Sequence, residues 1–110
     1  MKVFLSHKMN GVPVGDVMRL RARMKSFVES VYGPVEIIDN YSHPDAPENA
    51  GRLWHLGRSI QMMADADLVV FCYGHDDAKG CRVERLVCTE YDIPSIYMAD
   101  TNLDIDAQLT

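Results

Sequence analysis

The sequence predicts an α/β fold built on a parallel sheet, and three observations predict it. Short runs rich in β-branched and aromatic residues ("KVFLS", "VEIID", "DLVVFCY" and "PSIYM") recur along the chain. Between them lie segments whose apolar residues step by three and four, the period of a helix with one buried face. The run "DLVVFCY" hardly alternates, so it is expected to be covered on both faces, as central parallel strands are. Strands and helices in strict alternation make βαβ units with right-handed crossovers.

Each element follows in order. The first strand is Lys2 to Ser6, and the loop "HKMNGVPVG" leaves it. Asp16 is expected to cap a first helix whose apolar face carries Val17, Leu20, Met24, Phe27, Val28 and Val31. Gly33 and Pro34 end that helix, and Val35 to Asp39 form the second strand. The polar loop "NYSHPDAPENAG" is longer than most strand-to-helix connections, as lids and binding loops are. A second helix runs from about Arg52 to Ala64, with Leu53, Leu56, Ile60 and Met63 on one face. After the third strand, a third helix begins near Gly80 and carries Val83, Leu86 and Val87 inward. Pro94 to Met98 form the fourth strand, and the tail "ADTNLDIDAQLT" is ambiguous, so the sheet should have four to five strands.

A chain of 110 residues suits one domain around a single core, so 1–110 is read as one domain. With 47% hydrophobic and 25% charged residues it has the composition of an ordinary soluble protein. A formal charge of -5 provides no basic field for coating a nucleic-acid polymer, although a small phosphorylated ligand needs only a few local donors. Cys72, Cys81 and Cys88 form no C-x-x-C pair and follow no signal-peptide pattern, so reduced thiols and a cytoplasmic protein are expected. Cys72 should be a small core residue. No apolar stretch approaches transmembrane length, and His7, His43, His55 and His75 lack the regular spacing of a zinc site.

In open parallel sheets, ligands sit beyond the carboxyl ends of the strands. Glu84 belongs to such an end, four residues after Gly80. A first-turn carboxylate there would be held ionised by the helix dipole and free N–H groups, which suits a nucleophile, although acidic residues are also common in first turns for stability alone. Asp76 and Asp77 flank the same end; either could donate a proton if a neighbouring carboxylate raised its pKa, and as loop residues they could equally be simply solvated. The first loop offers Ser6, His7, Lys8 and Asn10, with Gly11 and Gly15 allowing close backbone approach, a combination that suits a phosphate or sugar. Asp39 could accept hydrogen bonds from a sugar hydroxyl or close a turn. Tyr41, His43, Trp54 and His55 could stack on a base or pack a core. Arg19, Arg21, Arg23 and Lys25 step by two on a helix, point in different directions, and are read as a solvated surface.

The segments "KVFLSHKMNG", "LGRSIQMMADADLVVF" and "AKGCRVERLVCTEYDIPSIYM" together resemble the nucleoside 2-deoxyribosyltransferase-like proteins, nearest to a small bacterial and phage branch. The most specific part is the third strand, its glycine and the Glu four residues later; the first strand and loop are also similar to the opening of TIR domains. The resemblance implies a flavodoxin-like three-layer sandwich, a homo-oligomer, and chemistry at the N-glycosidic bond of a deoxynucleoside or its monophosphate. It makes Glu84 the nucleophile; with that role, Ser6, Lys8 and Gly11 are expected at the sugar or phosphate, Asp39 and Ser59 at sugar hydroxyls, and Gly80 in the substrate site, while Arg82 could narrow the pocket or bind a phosphate. No cofactor or metal is needed, because the carboxylate performs the covalent step. Three positions depart from the family pattern. Ser59 stands where an Asp is common, Arg82 stands where Gly is common, and Phe4 lacks the hydroxyl that orients the nucleophile in the transferases. Ser59 and Phe4 favour the alternative of a nucleotide-binding module without turnover. A third alternative is a sheet that scaffolds an oligomer.

Overall fold

The computed structural model describes residues 1–72, 74 and 77–99. These form β1 (Lys2–Ser6), α1 (Val14–Tyr32), β2 (Glu36–Ile37), α2 (Arg52–Met63), β3 (Leu68–Cys72), α3 (Lys79–Glu90) and β4 (Ser95–Met98). The sheet is all parallel in the order β2-β1-β3-β4. That is the order of the first four strands of flavodoxin-like sheets, with the reversal of direction between β1 and β3. The α/β class and the flavodoxin-like three-layer arrangement expected from the sequence are therefore present, with four strands among the described residues.

Alternation along the central strands divides the core in two. Val3 and Leu5 of β1 join Leu68, Val70 and Cys72 of β3 against Leu20, Met24, Phe27 and Val28 of α1. Phe4, Val69 and Phe71 point the other way, against Ile60 and Met63 of α2 and Val87 and Cys88 of α3. Every residue of β3 is buried, as its unbroken apolar run requires. Burial of each large apolar side chain contributes about 1.5–3 kcal/mol, so these two layers supply the main driving force for the fold.

Four local expectations are corrected. α1 starts three residues earlier than an Asp16 cap would allow; Pro13 is the N-cap, its carbonyl accepting from the N–H groups of Asp16 and Val17. Asp16 lies in the first turn instead and pairs with Arg19. β2 is shorter than Val35 to Asp39, because Asp39 Oδ1 captures the N–H groups of Tyr41 and Ser42 and turns the chain. On α3, Val83 and Leu86 face solvent, 37% and 58% exposed, and the buried stripe is Cys81, Glu84 and Cys88. Leu53, expected inward on α2, and Val31, expected inward on α1, are 83% and 59% exposed.

All three cysteine side chains are buried. Burial pushes Cys81 and Cys88 up to about 11, which removes thiolate at neutral pH. In the native protein none of the three should react quickly with a thiol reagent, whereas all three should label in denaturant; peptide mapping after a timed pulse checks this.

Candidate functional site

Ser6 ends β1 and His7 follows it on the opposite side of the sheet, at the switch point where such folds bind ligands. Ser6 is in register with Phe71 of β3. Its Oγ donates a 2.7 Å hydrogen bond to Glu84 Oε1, across 78 residues of sequence. Both residues are buried, Ser6 at 1% and Glu84 at 7% exposure. The Cys81 thiol lies beside them, within hydrogen-bonding reach of Ser6.

Glu84 does not occupy the first turn of α3. The helix begins at Lys79, so Glu84 is a turn further in, beyond the strongest effect of the free N–H groups. Burial dominates and pushes its carboxyl up to about 7, against the opposing pull of the Ser6 hydroxyl. The expectation of a fully ionised carboxylate is corrected accordingly: near neutral pH, Glu84 divides between acid and carboxylate. A glutamate on the inward stripe of a helix costs stability, and groups of this kind cluster at functional sites.

The opposite face carries a second polar cluster. Arg21 reaches from α1 and donates from Nη1 to His7 Nε2 at 2.9 Å and from Nη2 to the Ile38 carbonyl at 3.1 Å. Since a guanidinium cannot accept, His7 Nε2 is the acceptor and its Nδ1–H donates to the Lys8 carbonyl at 3.2 Å. Burial lowers His7 to about 4, the Lys8 carbonyl opposing and the Arg21 charge adding to the effect, so the ring is neutral at physiological pH. Asn40 Nδ2 donates to the Leu5 carbonyl at 2.9 Å, tying the end of β2 to β1. Asn40→Ala leaves that buried carbonyl without its donor and should cost about 1–3 kcal/mol in urea denaturation.

The structure thus brings Ser6 and Glu84 together, and Ser6 commits its hydroxyl to Glu84. Ser59 is buried on α2, on the same inward face as Met63. Gly80 packs toward Leu56, where an added Cβ would meet the side chain at 3.8 Å, an ordinary contact. Gly11 has φ +77, so there it is backbone conformation that calls for glycine. Lys8, Asp39, Asp77 and Arg82 are exposed, Asp39 holding the turn described above. Asp76 and His75 lie outside the described residues, as does the tail from 100 onward. Among the described residues no group of three His, Cys, Asp or Glu side chains could hold a metal ion. No helix among them is long and apolar enough to cross a membrane.

No family model matches the chain, and no curated protein or solved structure matches it significantly. The site therefore rests on its own geometry.

Sequence reasoning missed Arg21 and Asn40. The one available signal for Arg21 was its place in the helical period, four residues after Val17 on the inward side of α1. It also left the loop polar groups unpaired, whereas His43 and His55 meet directly, Nδ1 to Nδ1 at 2.8 Å.

Proposed function

We propose that the protein acts on the N-glycosidic bond of a deoxynucleoside or its 5'-monophosphate, as a hydrolase or deoxyribosyltransferase of the nucleoside 2-deoxyribosyltransferase-like kind. The observation that carries this reading is the buried Ser6–Glu84 hydrogen bond of 2.7 Å at the switch point of the sheet. The hydroxyl that Phe4 lacks is supplied by Ser6, two residues on and on the same face of β1. A carboxylate oriented in this way attacks the anomeric carbon through one oxygen. The bond to the base breaks with its electron pair, the base leaves after taking a proton, and a glycosyl ester on Glu84 remains. Water or a second base then attacks the same carbon, the ester bond breaks, and the carboxylate returns. The proton for the leaving base comes from solvent or through Asp77, which lies exposed in the loop after β3.

One observation favours the binding-module alternative. Ser59 stands buried on α2 where nucleoside 2-deoxyribosyltransferase-like proteins commonly carry an Asp, so a contact to the sugar is weaker or missing. A panel of deoxynucleosides and their 5'-monophosphates, incubated with the protein and chromatographed for free base, separates the two. Free base from at least one member supports the enzyme; thermal stabilisation by panel members without any free base supports the binder.

A further inference from the structure

We propose that the loop between β2 and α2 is a proton-operated latch, closed by the His43–His55 pair and released when both rings are charged. This inference is independent of the chemistry at Glu84. The two Nδ1 atoms lie 2.8 Å apart with the ring planes 14° from parallel. Nitrogens that close cannot belong to rings stacked face to face; the rings meet edge to edge and share one N–H along the N···N line. One Nδ1 must carry the proton and the other must accept it. With both rings charged, two N–H groups and two positive charges would face each other across that distance.

The surroundings resist that second charge. His43 Nε2 is buried and has no hydrogen-bond partner among the described residues, so a charged ring would hold an unmet donor there. Burial lowers the His43 pKa first, and the neighbouring His55 and Arg58 lower it further; Asp45 and Asp39, the facing carboxylates, oppose. The sign follows from this direction. Closure is at full strength above the ordinary histidine value of 6.5 and is lost as pH falls below it, because the open loop takes up protons that the closed one refuses.

A second tie crosses the same gap, with Arg58 Nε donating to Asp45 Oδ2 at 3.2 Å. The two ties join loop positions 43 and 45 to helix positions 55 and 58, which share one face of α2. Asp45 and Arg58 also line a groove of about 410 Å³ along α2, with Trp54, Gly57, Leu53 and Gln61, so release of the loop would reshape it. Trp54, the one tryptophan of the chain, lies edge-on to both imidazoles, with ring centroids 5.9 Å from His43 and 5.2 Å from His55, and it reports the latch directly.

Acrylamide quenching of Trp54 tests the proposal. Between about pH 7.5 and about pH 5 the quenching constant should rise about two-fold or more, with far-ultraviolet dichroism unchanged. The double variant His43→Gln/His55→Gln, which has no imidazole to charge, should show no such rise. Hydrogen exchange of wild-type amides in 41–50, corrected for intrinsic rates, gives a readout that does not depend on the variant folding. Protection there should be lost over the same range. A constant that does not change with pH, the same rise in the double variant, or protection retained to about pH 5 overturns the latch.

Discussion

Glu84→Gln is expected to make the protein progressively more stable than wild type as pH rises, the reverse of what removing a buried hydrogen-bonded residue usually does. Burial raises the Glu84 carboxyl from 4.5 to about 7. Between those values the folded state holds a proton that the unfolded chain has released, so wild-type stability falls as pH rises through the window and is flat above it. The full effect is about 3 kcal/mol. Glutamine has no charge to bury and keeps an oxygen that can accept from Ser6 Oγ, so it escapes this loss. At about pH 4 the variant should match wild type or lie slightly below it, since its extra N–H needs a partner; by about pH 8 the difference should have moved about 3 kcal/mol in favour of glutamine. Urea denaturation of both proteins at the two pH values measures it. A difference independent of pH would place the Glu84 carboxyl in water.

The same substitution should abolish chemistry while it stabilises. A neutral amide cannot form the glycosyl ester, so base release should fall by about 10³-fold or more, with substrate binding much less affected. Ser6→Ala should act through Glu84. It removes the one described hydrogen bond that favours the charged form, so the carboxyl should titrate higher and activity at neutral pH should drop, recovering in part at higher pH. Single-turnover base release across pH for wild type, Glu84→Gln and Ser6→Ala separates loss of the nucleophile from loss of its orientation.

The fold was legible because its strongest signals are long-range in consequence but local in sequence. The unbroken apolar run at Leu68–Cys72 demanded a strand covered on both faces, and the three-and-four stepping of Val17, Leu20, Met24 and Val28 demanded a helix on one of them. What failed was rotation and partnership. On α3, Val83 and Leu86 look better suited to a core than Glu84, and polarity alone turns the helix the wrong way. Its actual orientation is set by Val87 and Cys88 against the sheet, by Cys81 beside Ser6 and by Gly80 against Leu56, contacts between distant segments. That rotation brings Glu84 inward and changes its chemistry from a dipole-stabilised anion to a carboxyl held near neutrality by burial. The Arg21–His7 and Asn40–Leu5 hydrogen bonds were hidden for the same reason, because each joins residues whose spacing carries no pattern.

The central claim is that Glu84 attacks as a carboxylate, and the pH profile of base release tests it most directly. Wild-type protein incubated with the deoxynucleoside and monophosphate panel should release free base at a rate that rises through about pH 7 and then levels, following ionisation of a carboxyl raised to about 7. A rate that falls as pH rises through that value would make the protonated acid the active form, and release of no base from any member of the panel would contradict the enzyme altogether.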